Sequence, residues 1–250
     1  MKNIHALKIA NIRMSNIRIS RTIHKNRNTI PQTKAILSRT ARLSRMAYLP
    51  EENIRNKLET EGAKKIFIYS YEGMLAFMAE FTSDVVVSFR GVGTVGEFKT
   101  ILQFWKKEYK GVRVHAGFAD SVDKFSKYII NDINTVPKGK KIIYTGHSFG
   151  GAMALLLTMH CKPDIICTFG APRAGGGDNY LSMFSDVEVL RVQTKSDFVS
   201  MLPPSLPLII NYEHVGKPIL LEGIQHPYEA HRMNVYLKNV IRSERYERRR

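Results

Sequence analysis

Two cysteines in 250 residues, Cys161 and Cys167, are too few for a disulfide framework, and their spacing fits no metal-ligand pattern. Both read as reduced core residues, and neither a metal nor a cofactor is expected. No apolar run reaches the ~18 residues that a membrane span needs. Lys8, Arg13 and Arg18 interrupt every candidate near the N-terminus, which also removes the continuous apolar stretch of a secretory signal. No Asn-x-Ser/Thr acceptor occurs. These absences predict an intracellular location, organellar or peripheral to a membrane. Acidic residues are missing from positions 1–50, which hold 11 Lys and Arg.

What is present is a strong positive charge, +16 in all, of which +14 sits at the two ends of the chain. Residues 242–250 carry five Arg and two Glu, and the stretch 51–241 is left with 22 basic against 20 acidic residues. A nucleic-acid-binding protein would carry its charge on the body, so nucleic acid is not expected as a partner. The pattern predicts three parts: a basic extension over 1–45, flexible or targeting; one folded domain over 46–241; and a basic tail over 242–250. An apolar content of 44% suffices for one sizeable core. Ile9, Ile12, Ile17 and Ile19 lie among the N-terminal cations, a mixture suited to an anionic membrane surface.

Along the chain, helices are predicted over 33–48 and 51–65, then β-type runs over 65–71, 75–81 and 85–90 with turns at Glu72-Gly73 and Thr82-Ser83-Asp84. An amphipathic helix is predicted over 96–109 and another over 118–133. Strands follow at 141–144, 165–169 and 188–193, with a last helix over 228–241. Strands alternating with helices predict an α/β fold. Its central sheet is mostly parallel with an antiparallel N-terminal part, and helices cover both faces.

At 146–150 the chain reads Gly-His-Ser-Phe-Gly. The pentapeptide alone is weak, since average composition produces it in roughly one chain in ten of this size. Its setting sharpens it: a β-rich run precedes it and an Ala/Leu-rich helical run follows. A strand–turn–helix of this kind strains the serine and lifts its hydroxyl to the top of the sheet, at a helix N-terminus. Gly146, His147 and Gly150 build this elbow around Ser148.

A serine nucleophile needs a base and a group that orients the base. In sheets with such an elbow the acid and then the histidine follow the serine in the chain. Asp197 fits the acid, in the loop after the run Val189 to Gln193. Of the later histidines, His214 lies in a β-like stretch, His226 precedes Pro227, and His231 opens the last helix. His231 is preferred over His226. The negative charge that develops in the reaction needs two backbone N–H donors. Phe149, next to the nucleophile, and Val92, in the loop after the third strand, are the candidates.

These stretches together resemble the class 3 (fungal-type) lipase family of α/β-hydrolases. The resemblance rests on Val86-Val87-Ser88-Phe89-Arg90-Gly91, His115-Ala116-Gly117-Phe118, Thr145 to Ala152 and Thr168-Phe169-Gly170-Ala171-Pro172-Arg173. It continues through Asp197-Phe198-Val199, His214-Val215-Gly216 and His231-Arg232-Met233. It spans about 65–240 in family order and implies an α/β-hydrolase fold, with the family's nucleophile on Ser148, its acid on Asp197 and its base on His231. It implies cleavage of carboxylic esters of lipids through an acyl-enzyme, with a lipid or ester as partner. The alternative is a lipase-like module of little or no activity that serves membrane or protein association. Val92 departs from the family, which carries Ser or Thr there. The family's mobile lid would fall within 93–111, presenting Phe98, Leu102 and Trp105.

Overall fold

The computed structural model describes residues 29–91, 105–205, 211–221 and 226–247. Val92, Phe98 and Leu102, and residues 1–28 of the basic extension, lie outside them. Seven strands form the main sheet: β1 (Lys65–Tyr71), β2 (Met74–Glu80), β3 (Asp84–Phe89), β6 (Lys141–His147), β7 (Ile165–Phe169), β8 (Glu188–Thr194) and β9 (Pro218–Leu221). Their spatial order is β1-β2-β3-β6-β7-β8-β9. The β1–β2 and β2–β3 pairs are antiparallel and all later pairs parallel. Two short loops make the opening meander, and longer crossovers, which carry helices between β3 and β8, make the rest parallel.

Side-chain alternation divides this sheet between two apolar layers. Val85, Val87 and Phe89 of β3 point into one layer and Val86 into the other. The first layer is closed by α3 (Ala116–Ile133), α4 (Phe149–Leu157) and α5 (Asp178–Ser182). The second is closed by α1 (Thr29–Met46), α2 (Glu51–Thr60) and α7 (Met233–Glu247). Short α6 (Pro227–Ala230) precedes α7.

Helix α1 moves the expected start of the folded domain. A boundary at 45/46 would cut this helix near its end, yet Leu37, Ala41 and Leu43 are buried in the second layer. The Arg39 guanidinium grips both carboxylate oxygens of Asp84 at 2.7 and 2.9 Å and lies 4.2 Å from the Phe81 ring. Further on, the Ser44 hydroxyl donates to Thr145 Oγ1 at 2.9 Å, and Thr145 donates to the Cys167 carbonyl at 2.7 Å. The helix therefore runs with the strands, from the amino end of the sheet to its carboxyl end. Charge patterning alone does not show this, because the acid-free basic run from residue 1 continues into the helix.

Two further expectations change. The helix predicted over 96–109 does not extend through its last turn. Lys106–Tyr109 forms β4, paired with β5 (Val112–His115) as a separate hairpin. Lys110 and Gly111 take φ of +50° and +83° between them, a two-residue turn whose twist matches a hairpin. Trp105, just ahead of β4, is 73% exposed. The last helix is also not continuous from 228: His231 separates α6 from α7.

Candidate active site

The elbow lies where β6 ends and α4 begins. Ser148 has φ +57° and ψ −130°, a left-handed conformation that costs a side-chain-bearing residue about 1–3 kcal/mol. Close packing holds it there. A Cβ on Gly146 would stand 2.3 Å from the Gly150 carbonyl, and one on Gly150 would stand 2.2 Å from the Phe89 carbonyl. The Ser148 N–H donates to the Phe169 carbonyl of β7 at 2.9 Å. Phe149 opens α4, and the first N–H groups of a helix have no acceptor within it. The expected second donor, Val92, lies outside the described residues.

Three residues far apart in the chain meet at this point. His231 Nε2 is 2.8 Å from Ser148 Oγ, and His231 Nδ1 is 2.9 Å from both oxygens of Asp197. The carboxylate can only accept, so Nδ1 carries the proton and Nε2 faces the serine hydroxyl with its lone pair. Asp197 is 1% exposed. It also accepts from Val199 N–H at 2.9 Å and from the Tyr236 hydroxyl at 2.5 Å. Burial alone would raise its pKa, but the hydrogen bonds and charge around it, His231 first, hold it below the ordinary carboxylate value. Burial, then the neighbouring carboxylate, pushes the Tyr236 hydroxyl far above its usual range, so it remains a donor.

The structure separates the three late histidines. His231, at the α6–α7 junction, joins the serine. His226 stands at the start of α6, and His214 donates from Nε2 to the Ser200 carbonyl at 2.7 Å. His147 does more than fill the elbow. Its Nε2 is 2.6 Å from the His231 carbonyl oxygen, and its Nδ1 is 2.6 Å from the Tyr48 hydroxyl. Tyr48 and Tyr236 carried no assigned role in the sequence reading. Neither leaves a local sequence signal, since Tyr236 lies in the helix after His231 and Tyr48 is 99 positions from His147.

A strained serine at the carboxyl end of a central parallel strand, at the start of a helix and within reach of a histidine–aspartate pair, defines an α/β-hydrolase. Residues 86–206 match the family described as Lipase (class 3). The match, over just under half of the chain, supports a likeness to the class 3 lipase family. It is 29% identical over 152 residues to the secreted mono- and diacylglycerol lipase 1 of Fusarium solani, an alignment covering 56% of this chain and 44% of that protein. It is 31% identical over 140 residues to a lipase of Rhizopus oryzae, covering 48% and 35%. The chain thus spans less than half the length of these curated relatives. Among solved structures it resembles a lipase of Rhizopus microsporus var. chinensis, with a TM-score of 0.63 at 25% identity over 78% of this chain and 77% of that one. Lipase II of Rhizopus niveus shares the fold, with a TM-score of 0.62 at 23% identity over 77% and 82%.

The expected intracellular, organellar or membrane-peripheral location is overturned by these relatives, since the Fusarium solani lipase is named as secreted. Lack of glycosylation acceptors was no counter-argument, because export does not require them.

Proposed function

We propose that this chain is a serine hydrolase that cleaves carboxylic esters of lipids through an acyl-enzyme on Ser148. The Ser148–His231–Asp197 geometry carries the reading. His231 Nε2 takes the hydroxyl proton as Ser148 Oγ attacks the ester carbonyl, and Asp197 stabilises the imidazolium through Nδ1–H. The backbone N–H groups of Phe149 and Val92 are assigned to the oxyanion. As the tetrahedral intermediate collapses, the C–O bond to the alcohol breaks and His231 returns the proton to the leaving oxygen. Water then repeats the sequence on the acyl-enzyme and releases the acid. The relatives named as lipases support a lipid ester, and the secreted relative supports an extracellular setting.

The test is fluorophosphonate labelling together with hydrolysis of p-nitrophenyl esters of short and long chains. Labelling and hydrolysis in the wild type, both lost in Ser148→Ala and His231→Ala, are expected. Labelling that persists in Ser148→Ala overturns the nucleophile. A wild type inert to every ester supports an idle module instead, a reading that the complete constellation disfavours.

The basic ends are proposed to attract an anionic lipid surface. α1 enters the fold at the amino end of the sheet, and its Lys34 and Leu37 line one cavity with Val240 and Ser243 of α7. Both ends therefore leave the fold on the side away from Ser148. Sedimentation with anionic vesicles should weaken with salt and vanish on deletion of residues 1–28 and 248–250; binding that ignores either change refutes it.

A further inference from the structure

We propose that His147 is a positioning residue that holds the base in register, with Tyr48 fixing its tautomer. The proposal rests on the serine-hydrolase reading above. The elbow's backbone needs glycine at 146 and 150, but nothing in its strain asks for an imidazole at 147. The hydrogen bonds supply the reason. A carbonyl oxygen only accepts, so the 2.6 Å contact to the His231 carbonyl places a proton on His147 Nε2. A neutral ring then has its lone pair on Nδ1, and the Tyr48 hydroxyl donates to it at 2.6 Å. For a neutral ring, only this arrangement of protons satisfies both contacts.

Consecutive side chains therefore grip the two ends of one residue. Ser148 meets the His231 imidazole, and His147 meets the His231 carbonyl. This carbonyl needs an outside donor because His231 sits between two helices. The carbonyl of Arg232, not of His231, accepts from Val235 and Tyr236 as α7 begins, at 2.9 and 3.3 Å. An anchor at this bend sets where the imidazole points, and displacements of about 1 Å at a reacting group cost on the order of 100-fold in rate.

The charge balance agrees. His147 and His231 rings lie 4.8 Å apart, and the Tyr236 ring lies 5.8 Å from His147. The other ionisable groups facing His147 are Tyr48, at the end of α1, and Asp197, in the loop after β8. Burial first, then His231, pushes the His147 pKa down to about 3. It stays neutral, so the only imidazolium formed in turnover is that of His231. Tyr48 and His147 also leave no room for a side chain at Gly91, just past β3: a Cβ there would stand 2.0 Å from the Tyr48 hydroxyl and 2.7 Å from the His147 carbonyl.

Ester hydrolysis by Tyr48→Phe, His147→Phe, His147→Gln and the Tyr48→Phe/His147→Phe pair tests this. His147→Phe removes the donor and should lower kcat by about 10- to 100-fold with KM little changed. His147→Gln keeps an N–H for the carbonyl and should recover most of the loss. Tyr48→Phe releases the tautomer and should fall in the same direction. The pair should be no slower than His147→Phe alone, because residues acting as one unit are not additive. Wild-type kcat in His147→Phe, no recovery in His147→Gln, or additive losses would overturn the proposal. Nitrogen NMR of the wild type gives an activity-independent readout: His147 should be protonated on Nε2 and bare on Nδ1. A proton on Nδ1 overturns the arrangement even if the wild type hydrolyses no ester, a result that separately defeats the hydrolase reading.

Discussion

Tyr236 donates its hydroxyl proton to Asp197 Oδ2 across 2.5 Å and, on the same oxygen, accepts the Thr194 N–H at 3.2 Å. One hydroxyl thus ties the acid to the end of the strand that delivers it. Tyr236→Phe leaves a buried carboxylate short of a donor and a buried N–H short of an acceptor. The expected cost is about 1–3 kcal/mol of stability, read by urea unfolding, together with a roughly tenfold loss of ester hydrolysis. Unchanged activity would show that Tyr236 does not hold the acid in its working position.

Asp197 links stability to pH with a definite sign. Its folded pKa is below the ordinary value, so the folded state favours the ionised form. The resulting stability is fully present above the unfolded pKa of about 3.9 and is lost as pH falls through the lower folded value. The difference in unfolding free energy between wild type and Asp197→Asn should therefore be largest near neutral pH and close below about pH 4. Urea titrations across that range check it; a gap that widens toward acid contradicts the assignment.

Gly170 has φ +56°, and a Cβ there would stand 2.5 Å from Asp197 Oδ2 and 2.8 Å from the Tyr236 hydroxyl. Gly170→Ala should displace the carboxylate and lower kcat by on the order of 100-fold. The backbone penalty is about 1–3 kcal/mol, small enough for circular dichroism to confirm folding while activity is measured. Near-wild-type turnover would mean that the acid tolerates displacement.

Truncation separates the basic extension from the helix that follows it. Deleting residues 1–28 should leave the melting temperature and hydrolysis near wild type. Deleting residues 1–46 strips Leu37, Ala41 and Leu43 from the second layer and the Arg39 grip from Asp84. Each lost Leu alone is worth about 1.5–3 kcal/mol of burial, so no cooperative thermal transition is expected. A folded 47–250 fragment would return α1 to the status of an appendage.

Much of the site was legible because its constraints are local. Glycines two residues either side of Ser148, a β-run before it and small residues after it specify an elbow through backbone sterics alone. The position of Asp197 just past a strand and the chain order of acid and histidine follow from how a parallel sheet presents its carboxyl-end loops. Only the first strand of the 106–115 hairpin falls inside the helix expected over 96–109, because Phe98, Ile101, Leu102 and Trp105 offer a helical period while the turn Lys110-Gly111 has no strong sequence signature. The 33–48 run is legible as a helix, but its place inside the folded domain is not, because the run of cations from residue 1 continues through it without a break.

By itself, then, the sequence determined the α/β order, the alternation that splits the sheet into two apolar layers, and the strained turn at Ser148. These depend on short-range periodicity and on which residues fit a given φ and ψ. Only the tertiary structure brought His231, which the sequence already favours over His226, to Ser148 and Asp197, and only it decided that His147 holds the His231 carbonyl and that Tyr48 and Tyr236 complete the support. Those contacts join residues 34 to 99 positions apart. Hydrogen bonds at such separations exist only after packing brings the loops together, and no local pattern encodes them.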